Sequence, residues 1–366
     1  CTIEEIIDKA RQDGMRGVAI TDHGVMYGIK YFTDKVNDIN KDLIGQISEL
    51  EAKMAESDTA DATELQNKIA ELKKQLFIPI IGCEVYCARR SRLLKEKDVP
   101  NPYAPNNSID NSGWHLILLA KNYRGYENLV KMVSLSFTEG EYYKPRIDKE
   151  LLEKYHEGII VSSACIAGEV PQHILGNRLD LAEESVRWFK NIFGDDYYLE
   201  VQLHQTTRKG YNRHTYQKQL LVNKGIFELA AKCGVKVIAT NDVHFLNRDD
   251  ADVHKRLLCV GLGKELADME VTEDEDKGMS YSGEEWFKTQ EEMNEIFKDH
   301  PEVLSNTIEI LEKVELYSIN HDALMPEFTI PEPFKTPSEY LKHLTDVGAA
   351  ERYGTPLPDV VRERLD

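Results

Sequence analysis

No stretch of this chain approaches the roughly 18 consecutive apolar residues that a membrane-crossing helix needs, so no membrane partner is expected. Its first residues, CTIEEIIDKARQDG, lack the basic-then-apolar pattern of a secretory signal. They begin with Cys1 rather than methionine, which reads as a start inside a longer chain or after processing. Only 22 glycines and 13 prolines occur in 366 residues, which excludes fibrous and low-complexity classes. The six cysteines contain no CxxC pair. That spacing excludes a disulfide scaffold and fits a reduced, cytoplasmic protein. Positive charge is scarce: 45 Lys and Arg stand against 64 Asp and Glu, a net charge of −19. A bulk electrostatic grip on nucleic acid is thereby excluded, whereas a metal-assisted phosphate site is not, because bound divalent cations reverse the local sign. No strand turn carries GxGxxG or GxxxxGK[ST], so the common nucleotide-cradling loops are absent.

What is present is a strand–helix rhythm. At about 150 residues per domain, the length predicts two domains or one large barrel with an appendage. Six apolar runs, Val18–Ile20, Pro79–Tyr86, His115–Lys121, Gly158–Ala164, Tyr197–Leu203 and Lys236–Asp242, end or begin in polar or reactive residues. Helical patterns separate most of them, including Tyr126–Phe137, Leu179–Phe193, Tyr211–Cys233 and Asp249–Val260. Uniformly apolar strands alternating with helices predict a parallel sheet buried on both faces, with its chemistry at the strand C-termini. Residues 36–76 break the rhythm. Leu43, Ile47, Leu50 and Met54, then Leu65, Ile69, Leu72 and Leu76, predict an antiparallel helical hairpin with a self-contained seam, dispensable for folding. A polar turn at Ser57–Ala62 and an acidic loop at Asp268–Lys277 are expected, then helices over Glu284–Lys298 and Glu302–Val314. A proline-rich stretch, Met325–Pro337, leads into a last helix.

Ligand-type residues stand at the strand ends. Asp22 and His23 follow the first run, and Asp242 and His244 close the sixth. Spacing of i, i+2 on an extended segment points both side chains to one side, and carboxylate with imidazole is a common metal pair. Glu84 sits in an apolar strand, where it needs either a partner or half-exposure. His115 opens its strand and is read as a ligand or as a hydrogen-bonded strand-start histidine. Cys165 follows a strand as a soft ligand or a plain buried thiol. Glu200 or His204 reaches the same mouth, depending on register. His156, His173, His214, His254, His300, His321 and His343 are read as packing or surface residues without partners. The basic run Arg89, Arg90, Arg92, Lys95 and Lys97 is read as a solvated loop, with contact to a phosphate backbone as the alternative.

At AITDHGVMYGIKYF, PIIGCEVY, HLILLAKNYRGYENLVKMVS, GIIVSSACIAGEVPQ and VIATNDVHFLNRDDADVH the chain resembles the PHP (polymerase and histidinol phosphatase) domains of bacterial DNA polymerase III alpha subunits. EEMNEIFKDHPEVLSNTIEILEKVEL and LMPEF resemble the passage from that domain toward the palm. The resemblance implies an α/β fold, a distorted (β/α)7 barrel. The family's first strand, with its HxH pair and a following Asp, has no counterpart here. It implies a barrel over 1–282 carrying the hairpin 36–76, and a connector over 283–366. Metal ligands are implied at His23, Glu84, His115, Cys165, Asp242 and His244, with Asp242 and His244 catalytic and Asp22 and His204 behind the ligands or on substrate. Two or three divalent ions are implied, zinc, manganese or magnesium. The parent would be a DNA-directed DNA polymerase, a nucleotidyltransferase of DNA replication that meets DNA and other replisome subunits, a proofreading subunit among them. The barrel would then be a 3′→5′ exonuclease-type phosphodiesterase centre. The alternatives are a free-standing phosphatase of the same fold and a non-catalytic scaffold.

Overall fold

The structure, a computed structural model, describes residues 1–55, 59–104, 107–269 and 281–365. Ser57 and Asp58 of the expected hairpin turn, and residues 270–277 of the expected acidic loop, lie outside them. Seven strands form one curled sheet: β1 (Gly17–Ile20), β2 (Ile78–Ala88), β3 (Gly113–Ala120), β4 (Arg146–Ile147), β5 (Ile159–Ser162), β6 (Tyr197–Val201) and β7 (Lys236–Ala239). Their order is β1-β2-β3-β5-β6-β7, with the short β4 against β2. The sheet is a half-barrel in a mixed α/β fold.

Period-two alternation sorts the side chains. Ile78 and Ile80 of β2 join Leu119, Ile160, Tyr198 and Ile238 in one apolar cluster inside the curl. Ile81, Cys83, Val85 and Cys87 join Leu118, Val161, Leu199 and Val237 on the other face, beneath the helices. Helices Tyr123–Thr138, Leu179–Phe193 and His214–Cys233 cover that face, burying Met132, Val186, Phe189 and Ile226. Helix Glu302–Lys313 brings Ile310 and Leu311 into the inner cluster. It closes the end of the curl opposite the polar strand ends, where Asn306 donates to Val237 O at 2.7 Å.

Three expectations change. The sheet is not wholly parallel: β3 runs antiparallel to both β2 and β5. An antiparallel strand reaches the same end of the sheet with its first residue, which is why a strand-opening His115 belongs with strand-closing residues from its neighbours. The expected helix Glu284–Lys298 is only Gln290–Ile296. The residues before it lie extended, and Phe287 enters the core. Last, residues 283–319, within the expected connector, pack in the compact unit Cys1–Ile319, and Asn320–Asp366 forms a second unit. The reason is burial: Phe297, Val303, Ile310 and Leu311 are core residues. The second unit has its own helix, Pro337–Tyr353, started by a Thr336–Glu339 capping box, with Phe334 packing on Tyr340 and His343.

The hairpin is helices Ile29–Ala55 and Thr59–Lys73, so its first arm is a barrel helix prolonged rather than an insert beginning at 36. Asp61, within the expected polar turn, lies inside the second helix. The seam is not self-contained, because Ile47, Ile69 and Leu76 share a buried cluster with Ile78 and Ile80. Buried Asn40 pins the root: it donates to Phe77 O at 2.8 Å and accepts from Phe77 N at 3.0 Å. Asn40→Ala strands a peptide group and is expected to cost about 1–3 kcal/mol, read by denaturant unfolding. Replacing only the distal residues 55–64 by a short turn is expected to leave the transition cooperative, and its collapse would show that the tip too is core.

Candidate metal centre

The site is built where inner-face alternation meets the ends of the strands. Beyond β1 the backbone continues along β2: Glu84 N donates to Asp22 O at 3.0 Å and Gly24 N to Glu84 O at 2.8 Å. This register sets His23 beside Glu84. Gly24 has φ +70°, and a Cβ there would stand 2.9 Å from Pro145 and 3.3 Å from the Tyr86 ring, so glycine is required at this turn. Across β2, Glu84 Oε1 is 2.7 Å from His23 Nδ1 and 2.8 Å from His115 Nδ1. The turn after β5, with Ala164 at φ +58°, folds back so that His115 N donates to Ala167 O and Cys165 Sγ lies 3.6 Å from His115 Nδ1. His244 Nε2 is 3.3 Å from Asp242 Oδ1, and its ring lies 5.4 Å from that of His23. Hence the six sequence-selected ligand positions meet at one mouth. Below it is a cavity of about 640 Å³, lined by Asp22, His23, Glu84, Cys165, Asp242 and His244 among others.

The electrostatics follow from the contacts. Burial would push the Glu84 carboxyl up, but hydrogen bonds from His115 and His23 outweigh it and hold it at about 2. His23 is raised by its bond to Glu84, against the opposing effect of burial. Asp22 is raised by burial, with His23 opposing. Burial, then Asp242, keep the Cys165 thiol well above its ordinary range, so it is a neutral thiol until a cation displaces the proton. Ligand atoms of Glu84, His115 and Cys165 all lie within 4.8 Å of one another. Mixed O, N and S donors at this spacing could hold a metal ion.

Asp22 and His204 differ in placement. Asp22 lines the cavity, whereas buried His204 backs the Asp242–His244 segment. Gln219 Nε2 donates to His204 Nδ1 at 3.1 Å, and His204 Nε2 donates to Asn241 O at 3.2 Å. The same Gln219 accepts from His204 N, which orients the amide and thus the tautomer. Burial lowers the His204 pKa, in keeping with a neutral ring. Glu200, left open between two readings, forms the cavity floor: it accepts from Ser162 and Thr240, with Gln202 Nε2 at 3.0 Å, and burial raises its pKa.

Several functional neighbours were missed or misread. Asn241 donates to Glu284 O at 3.0 Å and Trp286 O at 2.6 Å, and His244 N donates to Glu285 O at 2.7 Å. Residues 284–286 are thus the back-plate of the Asp242–His244 pair, and they hold Asp242 in the left-handed region at φ +46°. Nothing in the helix-like pattern of Glu284–Lys298 signals this. His254 has partners after all: its ring lies 5.6 Å from His244 and 4.9 Å from Tyr281. His173 bonds Tyr103 Oη at 2.9 Å. The basic run is not a free cationic loop. Arg92 is buried between Asp148, Glu139 and Glu150, Arg90 pairs with Asp110, and Arg89 lies over Trp114.

The sequence profile described as "PHP domain" matches residues 1–204. The chain belongs to the PHP domain family. Curated relatives extend the match beyond that segment. A DNA polymerase III subunit alpha of Borreliella burgdorferi is 37% identical over 96% of this chain and 25% of its own length. Those of Aquifex aeolicus, 32% identical over 96% of this chain and 26% of that one, and of Thermus aquaticus, 34% over 78% and 22%, are similar. The chain therefore spans about a quarter of the length of the curated relatives it matches. No helix among the described residues is long and apolar enough to cross a membrane.

Two measurements probe this geometry. In metal-free protein, Glu84→Gln is expected to bring the His23 titration, followed by imidazole NMR, down from its raised value toward about 6.5 or below. The linkage signs differ for the two partners. The stability from His23 is present below its ordinary pKa and lost as pH rises through the raised one, whereas that from Glu84 is lost only as pH falls from its ordinary range toward about 2. Separately, Asn241→Ala is expected to weaken any divalent-metal uptake at this mouth by about 10–100-fold in calorimetry, the scale of losses behind a metal's ligands, with the barrel still folded. Unchanged affinity would detach the back-plate from the site.

Proposed function

We propose that this PHP domain is part of a DNA polymerase III alpha subunit and that its mouth is a metal-dependent phosphodiesterase centre of the 3′→5′ exonuclease type. The convergence of Glu84, His23, His115, Cys165, Asp242 and His244 at one mouth carries this reading. His23, Glu84, His115 and Cys165 would hold one side of a centre of two or three zinc, manganese or magnesium ions, and Asp242 with His244 the other. Bound divalent cations supply water activation and neutralise phosphate charge. The chain's own residues do the remainder. Glu84 is ionised across the working range and orients two imidazoles. Cys165 releases its proton on ligation, so metal uptake strengthens as pH rises. Asp242 and His244, held by the 284–286 back-plate, would present their ligand atoms at the water side of the mouth, and the proton lost by the attacking water would pass to solvent or to the leaving 3′ oxygen. Similarity that continues past the barrel into the tail favours a polymerase parent over a free-standing phosphatase. DNA and replisome subunits, including a proofreading subunit, would then be partners, and the cytoplasm the location.

A second reading, a scaffold without catalysis, draws on one observation: Glu84 Oε1 lies within hydrogen-bond distance of two imidazole nitrogens, His23 Nδ1 and His115 Nδ1. The experiment separates the two. With manganese or zinc, the chain is expected to remove nucleotides from a single-stranded 3′ end, and His244→Ala to reduce that rate by at least about 100-fold through loss of a metal ligand, without lowering the unfolding temperature of the metal-free protein. Primer extension is expected to be absent, since polymerising carboxylates are assigned to the palm of the parent. Tight metal binding without hydrolysis in the intact parent would favour the scaffold.

A further inference from the structure

The turn before β4 overhangs the mouth. Pro145 seats against Gly24, the residue after His23. Lys144 Nζ stands 5.2 Å above the Tyr86 ring, which itself meets His115 edge-on at 5.3 Å. Lys144 is exposed, and its charge is felt at His23. By contrast, none of the described residues lining the cavity is Lys or Arg. Tyr142 N donates to Lys144 O at 3.1 Å, closing the turn. Between them Tyr143 holds φ +60° and is 69% exposed, with only the Tyr142 ring edge-on at 4.8 Å. A bulky aromatic kept in the left-handed region yet presented to solvent is unfavourable twice over, and such strain concentrates where a ligand is gripped.

We propose that Tyr143 and Lys144 grip the terminal nucleotide of a single nucleic-acid strand at the metal centre: Lys144 takes a backbone phosphate and Tyr143 stacks on a base. The proposal rests on the phosphodiesterase reading above and names the residues that bring its substrate in. The chemistry requires such a device. A mouth with Asp22, Glu84 and Asp242 on a chain of net charge −19 repels phosphate, and one cation beside the ions offsets this locally. An aromatic face beside a cation binds any base, as a strand of arbitrary sequence demands.

The test is fluorescence anisotropy of a short 5′-labelled oligothymidylate, titrated with the full chain in manganese at several salt concentrations. Lys144→Gln is expected to weaken binding about tenfold and to lower the salt slope by about one, while Lys144→Arg restores both. Tyr143→Gly, which the left-handed backbone accommodates, is expected to weaken binding about tenfold with the slope unchanged, and Tyr143→Phe to bind normally. Manganese affinity by calorimetry should be the same in all. Equal strand affinities, a fall in metal affinity that accounts for the loss, or no binding by the unaltered chain would overturn the proposal. Binding with this pattern but without hydrolysis supports the grip and fails the phosphodiesterase reading alone.

Discussion

Glu84 is the constraint around which the mouth is arranged. It is 4% exposed, it is ionised, and it lies in an inner strand, so it must be surrounded by donors. His23 comes from the segment beyond β1 and His115 from β3, and both direct Nδ1 at the same carboxylate oxygen. One side chain thereby ties three neighbouring strand ends together. Removing one of these partners leaves a buried charge less well satisfied, a greater loss than that of an exposed ion pair. A cation entering the cluster inherits donors already aligned, so the interaction that stabilises the metal-free mouth also preorganises it.

The opposite wall depends on backbone rather than charge. Asp242 occupies a left-handed conformation, and its segment is clamped by Asn241 and by the Glu285 carbonyl. His204, neutral and tautomer-defined by Gln219, supports Asn241 from behind. Two different devices therefore position the two halves of the ligand set. One is a shared carboxylate within the sheet, and the other is a loop from the far end of the first compact unit. That loop explains why residues up to Ile319 pack with the half-barrel: Phe287 anchors it in the core, and helix Glu302–Lys313 closes the floor.

Much of this was legible in the amino-acid order, because alternation and residue type are local properties. Apolar runs with a reactive residue at one end marked the strands, and Glu84 in an apolar strand demanded a partner. His23, His115, Cys165, Asp242 and His244 stood out as ligand types at strand termini, and the 3.5-residue spacing of Leu43, Ile47, Leu50 and Met54 marked a helical arm. What the tertiary structure alone decided was direction, partnership and strain. The reversal of β3 depends on pairing with β2 and β5, and no period within Gly113–Ala120 encodes it. The capture of Arg90 and Arg92 by Asp110 and Asp148 depends on residues about 20 and 56 positions away, which paired two of the loop's arginines with buried carboxylates. Likewise, the back-plate for His244 comes from a segment whose own composition favours helix, overridden because Phe287 gains more by entering the core than a helical turn gains in water.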